Sequence, residues 1–451
     1  MIAEPLTIRR WPAALVRLAL ALTLVLSGAP SLLAQSPAAA RSHPALGSGG
    51  VNRRAQQGKP YVVMISFDGF RADYLDSLRP PNFARLMQRG ARARGLIPVF
   101  PSKTFPNHYS IVTGLYAEHH GIVANAFYDP ARRARYAIAD TSAVRDGSWY
   151  RGEPLWVTAE RQGMVAASFF WPGSEAAIGG VRPTIVNRYD GTVPDSARVD
   201  TVLAWLRRPP AVRPHLVTLY ASDVDDAGHK FGPGTRQVAD AVGAVDRMLG
   251  RLIDGLDSLS IRDSVYLIVV SDHGMARYTP TDFATLGELV DTTGVRIADA
   301  GPNANLHVSG GEARARAVRD SLNRVLPHGR AYLREEVPAR LHYRSDPRIG
   351  DVVIILDAPF QVSTTAKRPS SAGGAHGWDP RYPAMHGIFL VAGPGVRRGA
   401  ELPRVANVDI YPFVTELLQL RPAAKIDGAS GRIRGLVMRT ARKPGSALRA
   451  R

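Results

Sequence analysis

The chain has 451 residues, 45% of them hydrophobic and 21% charged, a balance that excludes disordered, collagenous and coiled-coil chains. Its length allows one large α/β domain with a sizeable core, or a few smaller domains. It contains no cysteine, so disulfides, thiolate metal sites and cysteine nucleophiles are excluded, and any metal must be held by histidines and carboxylates. The net charge of +18, carried mostly by arginine, fits either an anionic partner or arginines spread over solvated faces, and does not choose between them.

Residues 1–34 read as a secretory signal peptide. Arg9, Arg10 and Arg17 precede an apolar run over 18–26, small residues follow, and cleavage is expected near Ala34 or Ala29. The run is shorter than the ~20 residues that a spanning helix needs, so an exported protein, periplasmic or secreted and with no membrane span in its mature form, is expected. Residues 35–59, rich in Ala, Pro, Gly and Ser, read as a flexible linker.

The fold begins at Tyr61–Phe67 (YVVMISF), an apolar run of the length of a buried parallel strand that ends in Asp68. The pattern recurs at 215–220, running toward Asp223 and Asp225, and at Val265–Val270, running into Ser271, Asp272 and His273. Helical periodicity covers 196–207 and 236–259, and another helix is expected over 408–420. This alternation predicts an α/β fold, with a largely parallel sheet flanked by helices on both faces and ligands at the carboxyl ends of its strands. Residues 352–356 and 387–391 are expected to join that sheet. Residues 275–303, without a clear period, are expected to form a loop-rich insertion near the site. The domain is expected to span 60–427, and the basic tail 428–451 to be poorly ordered.

Strand ends that deliver Asp and His, together with His376 in the Gly-rich stretch GGAHGWD, offer the mixed carboxylate and imidazole donors that divalent metals such as Zn²⁺ accept. A lone histidine is more often structural; several converging on one sheet edge are harder to dismiss. Thr104 precedes Phe105 and Pro106 at the start of a helix, where the dipole favours an alkoxide or a phosphate. Position alone favours a threonine that only caps backbone N–H groups.

The segments SFDGFRADYL, PSKTFPNHYSIVTGLYAEHHGIVAN, FWPGSE, DVDDAGHKFGP, SDHGM, GAHGWDP and MHGIFLVAGPG occur in that order. Together they resemble the nucleotide pyrophosphatase/phosphodiesterase family of the alkaline phosphatase superfamily, over most of the chain from Tyr61 to about Leu420. The resemblance implies an alkaline phosphatase-like fold and two Zn²⁺ per chain. One would be held by Asp225, His229 and His376, the other by Asp68, Asp272 and His273, with Thr104 as nucleophile reaching the second. Of Asp223, Asp225 and Asp226 only Asp225 stands four residues before His229 as the motif requires, although Val224 stands where the family usually has proline. Asn125 resembles the asparagine that donates to a non-bridging phosphate oxygen. Phe105, Trp156, Trp171, Tyr189 and Tyr220 lie in blocks expected to border the site and hold a nucleobase. His108, His119, His120 and His386 fall outside the family's metal positions and are expected to be structural.

The implied activity is hydrolysis of phosphodiester or pyrophosphate bonds of nucleotides through a phosphothreonine, releasing nucleoside 5′-monophosphates, with a small-molecule substrate and no stable nucleic-acid partner. Phosphomonoesterases of the superfamily bring extra cationic groups, and no equivalent arginine stands in the Thr104 block. Lys103 adjoins the nucleophile but belongs to the diesterase motif, so a diester is favoured. A phosphomonoesterase, a choline-type phospholipid diesterase on the same scaffold, and a non-catalytic polyanion-binding protein are the alternatives.

Overall fold

In the computed structural model, residues 50–438 are described; the expected signal peptide, most of the expected linker and the last part of the tail lie outside them. The central strand β1 (Tyr61–Phe67) belongs to an eight-stranded sheet with β2 (Ala166–Phe169), β3 (Leu216–Ala221), β4 (Val265–Val270) and β5 (Phe389–Ala392). β1 pairs in parallel with β3 on one side and β4 on the other, β2 extends the parallel block beyond β3, and Ile185–Asn187 closes that edge. Every residue of β1 is buried, so both faces need cover. Val62 and Met64 face one core, and Val63, Ile65 and Phe67 the other, as the two-residue period of a strand requires.

Three helices position the site: α1 (Thr104–Thr113), α2 (Asp223–Phe231) and α3 (Arg236–Asp257). Ile111 and Val112 of α1 pack into the first core. α3 buries Val238, Val242, Val245, Leu249 and Leu252, a stripe at helical spacing, into the second. Burying a side chain such as Leu249 stabilises the fold by about 2 kcal/mol, so the stripe fixes the helix against the sheet.

β5 joins the sheet as expected and runs antiparallel to β4, in a sheet that is otherwise largely parallel. Other sequence expectations are corrected. Val352–Leu356 lies not in this sheet but in a second, antiparallel one, ordered Val295–Asp299, Asn303–Val308, Val352–Leu356, Gly329–Leu333 and covered by the helix Gly311–Val325. The segment 275–303 is therefore not loop-rich: it contributes Ala276–Tyr278, Phe283–Thr285 and the first strand of the second sheet. Residues 50–59 are packed rather than a flexible linker. The Asn52 amide donates to the Pro210 and Arg213 carbonyls at 2.9 and 2.7 Å and accepts from the Val165 N–H at 2.7 Å. The tail, too, is ordered as far as Met438: Gly431–Val437 is a helix that buries Ile433 and Val437 while Arg434 turns out to Glu416 at 2.7 Å. Among the described residues no helix is long and apolar enough to cross a membrane.

Candidate active site and metal centre

The parallel block directs its carboxyl ends to one edge. Asp68 follows β1 directly, Asp272 and His273 follow β4, and Asp225 opens α2 just past β3, with His229 one turn later on the same helical face. His376 follows the short strand Gly373–Ala375, which pairs with Ala276–Tyr278 beyond β4 and so is carried to the same edge. Gly69 makes this convergence possible. Its φ is +65°, and a Cβ there would lie 2.8 Å from Asp225 Oδ1 and 2.9 Å from Asp225 Cα, so only glycine lets α2 approach the end of β1.

The donors form two clusters. In one, Asp225 Oδ2 lies 3.3 Å from His229 Nε2, Asp225 Oδ1 lies 3.8 Å from His376 Nε2, and the two imidazole Nε2 atoms are 3.1 Å apart. In the other, His273 Nε2 lies 3.4 Å from Asp68 Oδ1, 3.0 Å from Asp272 Oδ2 and 3.3 Å from Thr104 Oγ1. The His273 and His376 rings stack at 3.6 Å between centroids, which joins the clusters.

These residues fit divalent cations. The Nδ1 atoms of His229, His273 and His376 bond to the carbonyls of Gly374, Gly274 and Ser102 at 3.0, 2.9 and 2.7 Å, which fixes the tautomers and turns each Nε2 lone pair inward. Asp68 Oδ1, Asp225 Oδ1 and Asp272 Oδ2 are buried acceptors without a hydrogen-bond partner. Burial, reinforced by the neighbouring Asp272, pushes the Asp68 carboxyl well above its ordinary range; burial, with Asp68 and Asp272 nearby, does the same to Asp225. Burial raises Asp272 to about 7 and holds His273 and His376 well below the usual imidazole value. A cation relieves both penalties, since it favours ionised carboxylates and neutral imidazoles.

His108 also lies within ligand distance of Asp68 and Asp272. Its Nε2 is 2.8 Å from Ser66 Oγ, and its Nδ1 is 3.0 Å from the Thr104 carbonyl and 3.2 Å from Asp272 Oδ2. With Nδ1 donating to the Thr104 carbonyl and Nε2 accepting from Ser66, the ring has no lone pair left for a metal. Its structural role thus has a definite content: it holds the Thr104 backbone in place beside Asp272. His119 bonds to Asp427, His120 to Ser110, and His386 to the Pro380 carbonyl, all away from the clusters.

Thr104 is the first residue of α1. The Phe105 N–H donates to Asn125 Oδ1 at 2.9 Å, which fixes the Asn125 amide with its Nδ2 free to donate elsewhere. Beside Thr104 opens a cavity of about 300 Å³ lined by Phe105, Ile138, Phe170, Trp171, Tyr189 and Tyr220, among others, and also by Asp68 and Asp225 of the two clusters. Tyr189 is half exposed at 52%. Tyr220 has a second task, since its hydroxyl donates to Asp68 Oδ2 at 2.7 Å. Trp171 forms a buried wall, its Nε1 donating to the His108 carbonyl at 3.3 Å. Trp156 is a correction: it sits in the helix Leu155–Arg161, packs wholly into the first core and does not line the cavity.

Sequence reasoning misses Ile138, Phe170, Arg145 and Glu175. Phe170 and Glu175 stand in the FWPGSE block, which is the signal that could have found them; Arg145 carries none. Glu175 Oε2 accepts from Arg145 Nε at 2.8 Å while its Oε1 accepts from the Tyr189 N–H at 3.0 Å, so the pair braces the cavity mouth.

A profile of the type I phosphodiesterase/nucleotide pyrophosphatase family matches residues 62–379. The chain belongs to this family. It is 37% identical over 393 residues to human ectonucleotide pyrophosphatase/phosphodiesterase family member 1, covering 84% of this chain and 42% of that protein. It is 36% identical over 386 residues to the venom phosphodiesterase of Naja atra, covering 83% and 46%. The chain thus spans less than half the length of these curated relatives. Among solved structures, an inactive threonine-to-alanine variant of murine ectonucleotide pyrophosphatase/phosphodiesterase 5 in complex with AMP superposes with a TM-score of 0.79 at 30% identity, covering 84% of this chain and 100% of that one. The human counterpart superposes with the same TM-score at 31% identity. The fold of this family member is accordingly the alkaline phosphatase-like α/β fold.

Proposed function

We propose that this family member is an exported two-zinc hydrolase that cleaves phosphodiester or pyrophosphate bonds of nucleotides through a phosphothreonine and releases nucleoside 5′-monophosphates. The observation that carries the reading is the Thr104 hydroxyl at a helix N-terminus, 3.3 Å from His273 Nε2, with an aromatic cavity beside it. Asp225, His229 and His376 would hold one ion and Asp68, Asp272 and His273 the other. Bound there, zinc supplies Lewis acidity, which favours an ionised threonine and offsets charge on the departing oxygen.

This chain's residues carry the rest. Thr104 Oγ attacks phosphorus, the bond from phosphorus to the leaving oxygen breaks, and a threonine phosphoester remains; water then cleaves it, restoring the hydroxyl and releasing the monophosphate. Asn125 Nδ2 donates to a non-bridging oxygen. The Phe105 N–H is occupied by Asn125 Oδ1 and Pro106 has none, so the helix end offers little of its own and the asparagine carries the contact. His108 holds the Thr104 backbone in place beside Asp272. Phe105 and Tyr189 offer ring faces to a nucleobase, a mode that accepts any base.

Two charge pairs favour this substrate over the alternatives. Lys103, the cation next to the nucleophile, is bound to Asp299, and so is not offered as a second clamp for a dianionic monoester. Glu175 is bound to Arg145, and so is not offered to a choline cation. The AMP bound to the murine relative and the inactivity of its threonine variant support the same reading. The test is the ratio of kcat/KM for the p-nitrophenyl ester of thymidine 5′-monophosphate to that for p-nitrophenyl phosphate on zinc-loaded protein. A large ratio is expected; a ratio near or below one would move the assignment to a monoesterase.

A further inference from the structure

The Lys103–Asp299 pair joins the nucleophile's loop to the second sheet. Both side chains are nearly buried, at 7% and 12% exposure, and Asp299 ends the strand Val295–Asp299. Their corner adjoins His376. A Cβ on Gly377, whose φ is +120°, would lie 3.1 Å from Lys103 Cε and 3.4 Å from Asn303 Oδ1. Asn303 is fully buried, and neither atom of its amide has a hydrogen-bond partner. So beside the cluster of Asp225, His229 and His376 stand a neutralised cation and an unpaired amide, while Thr104 Oγ1 stands by His273 in the other cluster.

In an in-line displacement the attacking and leaving oxygens occupy opposite sides of phosphorus. With the nucleophile at the His273 end, the leaving group departs toward the His376 end. We propose that Lys103, Asp299 and Asn303 form the leaving-group subsite, and that Asp299, by cancelling the charge of Lys103, disfavours polyphosphate leaving groups and favours uncharged ones such as alcohols and phenols. The inference rests on the hydrolase reading above and refines it: the second sheet, through one carboxylate, sets which bond is preferred. A neutral ion pair offers a polyanion no net attraction, whereas a lone ammonium beside it does.

The experiment measures kcat/KM for ATP, whose leaving group is pyrophosphate, relative to the p-nitrophenyl ester of thymidine 5′-monophosphate, whose leaving group carries no further charge. Asp299→Asn should raise this ratio about tenfold, and Lys103→Met should lower it. The double variant K103M/D299N should return to near the wild-type ratio, because removing both members of a buried pair is far milder than removing one. Calorimetry on Thr104→Ala protein gives a readout free of turnover: inorganic pyrophosphate should bind about tenfold tighter when D299N is added. Should D299N lose its melting transition, Asp299→Ser, which admits water beside the ammonium, takes its place in the same comparison. An unchanged ratio in the single variant, or an equal rise in the double variant, overturns the subsite. Wild-type protein that turns over neither substrate overturns the hydrolase reading instead, so the two failures are separable.

Discussion

Asp272 provides a direct test of the buried carboxylate cluster. It is fully buried, and burial raises its pKa from 3.8 to about 7 in the metal-free chain. In the unfolded chain it ionises near its ordinary value, so between about pH 4 and 7 the folded state binds the extra proton. Stability contributed by this group is therefore complete at low pH and is lost as pH rises, at ~1.4 kcal/mol per pH unit, to a total of about 4 kcal/mol. Asp272→Asn is nearly isosteric with the protonated acid and does not titrate. In chelated protein the variant should match wild type near pH 4, gain on it steadily up to about pH 7, and hold that advantage above. A chain of this size shifts its melting temperature by roughly 1 °C per kcal/mol, so the gap should reach roughly 4 °C. Melting curves of both proteins in excess chelator across that range supply the assay, and zinc should stabilise the wild type more than the variant, which keeps only the cluster of Asp225, His229 and His376 intact. A gap that stays constant with pH, or that closes as pH rises, would refute the argument that Asp272 is buried without a compensating charge.

Thr104→Ala should abolish turnover of the nucleotide ester while leaving the melting temperature within a few degrees; near-wild-type turnover would remove the nucleophile. Tyr220→Phe deletes the 2.7 Å bond to Asp68 and should weaken zinc binding about tenfold in competition with a chromogenic chelator, which an unaltered affinity would contradict. Tyr189→Ala should raise KM for nucleoside esters about tenfold with a much smaller effect on kcat, as loss of one stacking face predicts. Trp156→Phe, buried in the core, should lower stability but leave that KM alone; a matching rise in KM would return Trp156 to the binding site.

Burial decides which parts of this fold are legible in the sequence. β1 and β4 can be bounded from it because a parallel strand covered on both faces must be apolar throughout, and the carboxylates at their ends break that run. The i,i+4 spacing of Asp225 and His229 places both on one helical face. Strand direction leaves no such mark, so residues 387–391 cannot announce that β5 runs antiparallel. An apolar run does not say which sheet it joins, which is why Val352–Leu356 reads as part of the wrong one. The strand Val295–Asp299 is invisible for the opposite reason: only Ala298 along it is buried, and its pairing slips between Ile297 and Asp299. Asn52 and the tail helix are hidden by composition, since polar and basic stretches that bury only one or two side chains look like linkers. The aromatics divide on the same ground: Trp156 and Tyr189 are alike as residues, and only the tertiary fold decides which of them meets solvent.

The same burial makes the two clusters costly without metal. Asp68, Asp225 and Asp272 lie close together at the sheet edge, each with an orphaned oxygen, and none of them forms an ion pair with an arginine or lysine among the described residues. That is unexpected in a chain of net charge +18, in which cations are abundant. The nearest such group in sequence to the nucleophile, Lys103, is already bound to Asp299. Buried carboxylates left without cationic side chains cost several kcal/mol, and a fold meets that cost only where something else supplies the charge. Glycine at position 69 brings Asp225 against the end of β1 and so deepens the repulsion rather than relieving it. Backbone carbonyls meanwhile hold the three imidazoles with their Nε2 lone pairs turned inward, which adds donors and no positive charge. Carboxylates and neutral imidazoles brought together this closely make sense as ligands for multivalent cations and poorly as a stabilising network, so removing the cations should cost this protein stability as well as activity.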